Sequence, residues 1–268
     1  YGLLEAMATH KGILDKRPDL RPFILTRSAY SGSQRYTAAW SGDNTSSWSH
    51  LKLSIPLLMN MGLSGLAFNG ADIGGFIGNC TPELYARWIE LGVFYPFCRT
   101  HSMLLTRAQE PWSFTKKVTD IARTYIKLRY RILPYTYNLF RQAADSGMPI
   151  MRPMVLEFPD DERFPAVDDQ FMFGRDILVA PVVQKDAVSR KVLFPAGDWI
   201  DYWTGGRVHG PCEKKVDAPL ETLPLYVRAG AIIPCQPEMM HTGELPLDPL
   251  TLEIYADTCG GSLTLYED

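Results

Sequence analysis

Two aspartates stand where an acid or a nucleophile would be useful. Asp43 follows the apolar triplet Ala38, Ala39 and Trp40 and the turn former Gly42. Asp72 lies in the glycine-rich run Gly70-Ala71-Asp72-Ile73-Gly74-Gly75-Phe76. Two facing carboxylates are the equipment of glycoside hydrolysis, one donating a proton and the other attacking or activating water. Arg27 follows Phe23-Ile24-Leu25-Thr26, and Arg99 and His101 follow Phe94-Tyr95-Pro96-Phe97; all three suit hydrogen bonding to a hydroxyl-rich ligand. Trp40 and Phe76 offer aromatic walls. Each residue also has a structural reading. Asp43 can cap a helix beside the cap-like Asn44, Thr45 and Ser46. Asp72 can hold turn amides, Arg27 can pair with a nearby acid, His101 can be a satisfied structural histidine, and Trp40 and Phe76 can be core.

The elements that must position these residues alternate between strand and helix. Residues 2–10 read as a helix, with Leu3, Met7 and His10 on one side. Residues 23–26, 38–40, 63–68 and 94–97 read as short strands. Between them, helical spacing runs from Trp48 through Leu51, Ile55 and Leu58, with Pro56 predicting a kink or a bounded helix. Thr81-Pro82-Glu83 is a helix start. A long helix is predicted from about Ser113, with Ile121, Tyr125, Leu128 and Ile132 on one face and Pro134 disturbing its second half. This grammar predicts α/β architecture with a parallel sheet. Arg27, Asp43, Asp72, Arg99 and His101 then share one sheet edge, the active face of a (β/α) barrel. Four strand–helix units make half of such a barrel. After Gly147 the chain turns to short strands separated by Pro, Gly and Asp, and an all-β sandwich is predicted.

Composition narrows the function classes. A net charge of -3 gives no basic footprint for nucleic acid and no polybasic membrane anchor. No apolar run approaches the roughly 18 residues of a membrane span. The five cysteines, Cys80, Cys98, Cys212, Cys235 and Cys259, are scattered and lack metal spacing; they predict no disulfide framework and favour a reducing, cytoplasmic compartment. No HxH, HExxH, GxxxxGK[ST], GxGxxG or GxSxG stands in the chain, so neither metal, phosphate cradle nor serine nucleophile is predicted, and no cofactor is expected.

Taken together, Arg27…Gly32-Ser33-Gln34-Arg35-Tyr36…Trp40-Ser41-Gly42-Asp43-Asn44, Gly70-Ala71-Asp72-Ile73-Gly74-Gly75-Phe76, Glu83-Leu84…Arg87-Trp88 and Arg99-Thr100-His101-Ser102 resemble glycoside hydrolase family 31, the α-glucosidase family. The β half is similar too, through Gly174-Arg175-Asp176-Ile177-Leu178-Val179-Ala180-Pro181-Val182, Pro224-Leu225-Tyr226-Val227-Arg228-Ala229-Gly230 and Leu265-Tyr266-Glu267-Asp268. The resemblance implies the second half of a (β/α)8 barrel over residues 1–145, a proximal β-sandwich over 146–240, and the start of a further β domain over 241–268. It implies a retaining mechanism on terminal α-linked glucosides, with Asp43 as general acid/base. Arg27, Asp72 and His101 then match residues that bind hydroxyls of the terminal sugar, Arg99 lies beside them, and Trp40 and Phe76 match aromatic walls. On this reading the pairing of Asp43 with Asp72 gives way. The family's nucleophile sits in a WxDMNE-like motif on an earlier strand, which this sequence lacks, and is expected on an N-terminal portion supplied as a preceding segment or a second chain. An α-xylosidase or transglycosylase of the same family and a non-catalytic carbohydrate-binding subunit are the rival readings; a homo-oligomer stays open.

Overall fold

The computed structural model describes residues 1–257 and 260–268; Cys259 lies outside the described residues. It opens with helix α1 (Gly2–Lys16), longer than predicted, followed by strands β1 (Leu25–Thr26) and β2 (Ala38–Trp40). Helix α2 (Trp48–Leu63) begins at Ser47, whose side chain accepts from the His50 amide, and runs unbroken through Pro56. Strand β3 (Asn69–Gly70) completes a three-stranded parallel sheet in the order β1-β2-β3, with Leu25 opposite Ala38 and Ala39 opposite Asn69.

The predicted third strand at 63–68 is therefore displaced. Leu63 ends α2, and pairing starts only at Asn69, whose side-chain amide donates to the carbonyls of Leu58 and Leu66 and ties the helix end to the strand. Residues 94–97 are no strand at all. Pro96 has no N–H to give a ladder, and the Arg129 guanidinium donates instead to the carbonyls of Val93, Tyr95 and Pro96. The segment still runs along β3: Phe97 donates to the Asn69 carbonyl, and Ile73 and Thr100 form a parallel bridge. Gly70 permits this approach, since a Cβ there would lie 1.9 Å from the Phe97 carbonyl oxygen. Arg99 and His101 thus arrive at the edge expected of them by a loop rather than a strand.

Helix α3 (Pro82–Gly92) is capped by Thr81 and buried over much of its length. The long helix predicted from Ser113 is two, α4 (Lys116–Arg131) and α5 (Leu133–Ser146), broken at Ile132 with Pro134 in the first turn of the second. A left-handed Gly147 closes α5. Then come β4 (Met151–Pro153), the single turn α6 (Met154–Glu157), β5 (Phe171–Phe173), β6 (Ile177–Val179), β7 (Ser189–Asp201), β8 (Arg207–Asp217), β9 (Leu225–Arg228), β10 (Ile232–Cys235) and β11 (Thr251–Ile254). They form a six-stranded antiparallel sheet, ordered β4-β5-β6-β9-β7-β8, and the two-stranded sheet β10-β11. Trp199 lies near the end of the long β7.

Strand alternation splits the core. Phe171, Phe173, Ile177 and Val179 face the helices and join the large cluster of α2, α3 and α4. Met172 and Leu178 face away, onto Phe194, Trp199 and Tyr226. The two halves are also joined by one buried cation. Arg87 of α3 is 1 % exposed and donates to the carbonyls of Ala187, Ala218, Pro219 and Thr222 as well as to Glu90 Oε2 at 3.2 Å. At the surface, the last residues fold back to the beginning: Arg21 donates to Tyr137 and Asp268, and Tyr137 donates to Asp268 at 2.6 Å. Cys80, Cys98, Cys212 and Cys235 are free thiols. Among the described residues, no helix is long and apolar enough to cross a membrane.

Candidate active site

All seven residues singled out from the sequence gather at the edge where β1, β2 and β3 end. Arg27, just past β1, points its guanidinium at Asp43, just past β2, with Nη1 and Oδ2 3.4 Å apart. Both side chains remain substantially open to solvent. Asp72, two residues past β3, is fully buried and accepts from Arg99 Nε at 2.8 Å. The Arg99 guanidinium also lies over the Trp40 ring, 5.2 Å from its centroid, and over Phe97 at 5.4 Å, an arrangement that favours a cation on an aromatic face. Phe76 and His101 stack with ring centroids 5.1 Å apart and planes at 22°.

The two carboxylates differ in setting. Burial pushes the Asp72 carboxyl above the usual carboxylate range; Arg99 and then His101 pull it back, and the Asp43 charge adds a further upward push. Asp43, Asp72, Arg99 and His101 therefore share one field. Asp72 Oδ2, an acceptor, and Trp40 Nε1, a donor, are buried and have no partner among the described residues.

What holds the Asp72 loop in register was not legible from the sequence. Asn44, there read as part of a helix cap, is buried; the cap is Ser47. Its side-chain amide donates to the Asp72 carbonyl at 2.9 Å, and its Oδ1 accepts from the Phe76 amide at 2.9 Å. Its own carbonyl accepts from the Phe76 and Ile77 amides. One side chain thus fixes the backbone on either side of Gly74-Gly75. Gln109, distant in sequence, adds a donation to the Gly75 carbonyl. Gly75 has φ +85°, and a Cβ there would meet the Ser46 amide nitrogen at 2.4 Å, so only glycine fits under the Asn44 strut. We expect Asn44→Asp to keep the fold but turn the donor facing the Asp72 carbonyl into a second acceptor. The resulting repulsion should loosen the loop that carries Asp72 and Phe76 and lower the melting temperature by about 3–6 °C. A thermal melt would check it, and an unchanged melting temperature would remove the strut role.

Residues 1–139 match the glycosyl hydrolases family 31 TIM-barrel domain, and residues 147–233 match the glycosyl hydrolase family 31 C-terminal domain. Alpha-glucosidase 2 of Bacillus thermoamyloliquefaciens is 43% identical over 270 residues, covering 100% of this chain and 34% of that protein. Neutral alpha-glucosidase C of Homo sapiens is 40% identical over 273 residues, covering 100% of this chain and 30% of its own length. Among solved structures, a family 31 dextranase of Flavobacterium johnsoniae complexed with glucose superposes with a TM-score of 0.92 at 37% identity, over 96% of this chain and 33% of that one. A glucosidase II alpha subunit does so with a TM-score of 0.91 at 37% identity, over 95% of this chain and 28% of that one. The chain spans about a third of the length of these relatives. With both profiles matching in order, one on the parallel half that carries Asp43 and Asp72 and one on the antiparallel half, the chain belongs to glycosyl hydrolase family 31.

Proposed function

We propose that this chain is the acid/base-bearing part of a retaining α-glucosidase that releases terminal α-linked glucose. The observation that carries the reading is the position of Asp43, open to solvent beside Arg27 and within the electrostatic reach of the buried Asp72. A carboxyl so placed can protonate a departing glycosidic oxygen and then deprotonate the water that releases the sugar. Asp72 Oδ2 and Trp40 Nε1 offer the acceptor and donor that sugar hydroxyls satisfy, and Arg27, Arg99 and His101 supply further donors. Phe76, held flat against His101, gives the sugar ring an aromatic wall. Asp72 is a poor attacking group: one of its oxygens is held by Arg99 Nε at 2.8 Å.

Retention needs a second carboxylate about 5–5.5 Å from the acid, and we place it on polypeptide outside these 268 residues. We place the boundary between barrel and β domain at 145/146, in the last turn of α5, and the opening of a further β domain at 241. The purified 268-residue chain is expected to give no turnover of p-nitrophenyl α-glucoside, and supply of the N-terminal portion as a preceding segment or second chain is expected to restore it. Robust turnover by the chain alone would overturn the assignment of the nucleophile.

A further inference from the structure

Asp72 opens a tight turn. The Gly75 amide donates to the Asp72 carbonyl at 3.1 Å, and Gly74, the third residue, has φ +89°. That bond and that backbone sign are those of a type II turn, whose third position favours glycine. Two successive glycines leave such a turn soft, so a group outside it must hold the Gly74–Gly75 peptide still. Asn44 bonds Asp72 and Phe76 on either side but not Gly75.

Gln109 fills that role. It is 3 % exposed, and its Nε2 donates to the Gly75 carbonyl at 2.9 Å. Ser46 Oγ reaches the same carbonyl only at 3.5 Å. Gln109 Oε1 is buried, has no hydrogen-bond partner among the described residues, and lies 2.1 Å from where a Cβ on Gly74 would stand. The side-chain amide thus occupies the space that glycine leaves open at the third position of the turn. Gln109 is itself anchored. Two residues earlier, the Arg107 amide donates to Asn79 Oδ1 at 2.6 Å, and its guanidinium donates to the Cys80 carbonyl at 3.3 Å. The same stretch of chain grips the start of the turn: the Arg99 carbonyl accepts from the Ile73 amide at 3.0 Å, and Arg99 Nε donates to the Asp72 carboxylate at 2.8 Å. Asp72 is therefore held in a clamp, with Arg99 as one jaw and Gln109 as the other.

We infer that Gln109 is a positioning residue: by pinning the Gly75 carbonyl it keeps the turn closed and aims the unpartnered Asp72 Oδ2 at a hydroxyl of the terminal sugar. The inference rests on the α-glucosidase reading above and adds a residue that acts through Asp72. Without the Gln109 donor the Gly74–Gly75 peptide is free to rotate, the Gly75 amide leaves the Asp72 carbonyl, and the Asp72 backbone gains play. Hydrogen bonds weaken steeply as distance and angle leave their optimum, so that play is felt at the sugar.

The test is a double-mutant cycle on maltose hydrolysis by the complete enzyme. Methionine nearly matches glutamine in length and removes the donor and the unpartnered acceptor together, so Gln109→Met disturbs the packing little. It should lower kcat/KM by about tenfold in the wild-type background, and by less than about twofold beside Asp72→Asn, where the carboxylate it serves is already gone. A residue with only a structural role would cost the same factor in both. Gln109→Asn, which withdraws the amide by one carbon without adding bulk, repeats the comparison. Hydrogen exchange gives a second readout: peptides covering 72–76 should exchange about tenfold faster in Gln109→Met, while those of α4 keep the wild-type rate. Equal factors in the two backgrounds, an unchanged kcat/KM in Gln109→Met, or unchanged exchange over 72–76 overturns the proposal. Absence of maltose turnover by the wild-type complete enzyme would instead overturn the α-glucosidase reading beneath it.

Discussion

Asp43→Asn in the complete enzyme is expected to lower maltose turnover by about 10²–10⁴-fold, the range that a positioned acid/base supplies. The melting temperature should barely move. Asn fills nearly the same volume, and the half-open pair with Arg27 at 3.4 Å is of the exposed kind that contributes about 0–1 kcal/mol at most. The loss should depend on the leaving group. A nitrophenolate departs without a proton, so formation of the glycosyl-enzyme is spared, and slow hydrolysis of that intermediate should show as a burst. Maltose, whose leaving oxygen needs the proton, should show no burst. Wild-type turnover of maltose by the variant would remove Asp43 from the mechanism.

Arg87→Met is expected to cost about 3–5 kcal/mol, since the carbonyls it serves all lose a charged donor at once. Methionine keeps the length but has nothing to donate. The carbonyls of Ala187, Ala218, Pro219 and Thr222, which now receive Arg87 across the junction of the two halves, would be left with water or nothing. A fall in melting temperature of about 10 °C follows for a domain of this size. Glu90, on the same helix and also 1 % exposed, shapes the rescue. Burial pushes its carboxyl up to about 8, beyond what Arg87 offsets, and one of its oxygens has no partner among the described residues. Replacing it as well, in Arg87→Met/Glu90→Leu, removes the stranded acid and should recover part of the loss. A single variant that melts within about 3 °C of wild type would show that the junction does not depend on Arg87. Because α3 directly follows the loop that carries Asp72 and Phe76, activity should fall before the melt does.

The chemistry was easier to read than the scaffold beneath it. Asp43 and Asp72 announce themselves because each follows a short apolar run and a glycine, a local pattern that survives in the fold as β2 and β3. Where sequence reading misplaced an element, a long-range partner had intervened. Residues 94–97 have the apolar content of a strand, but Arg129 of α4 takes the carbonyls that a ladder would use. Asn44 has the look of a cap; its partners are 28 and 32 residues away. Arg87 was visible only as part of a family motif, since its partners lie 100 to 135 residues further on. Hydrogen bonds across such distances leave no periodicity to detect.

The knot of Arg21, Tyr137 and Asp268 bears on the order in which the molecule is made. Asp268 meets Arg21 across 247 residues of chain. The entropy lost in closing a ring grows with the logarithm of its length, and a solvent-exposed contact returns little against it. This knot can therefore tie only after the intervening strands have already brought the two stretches together. During synthesis, Arg21 would wait for the ribosome to deliver its partner, and in refolding the contact would close among the last.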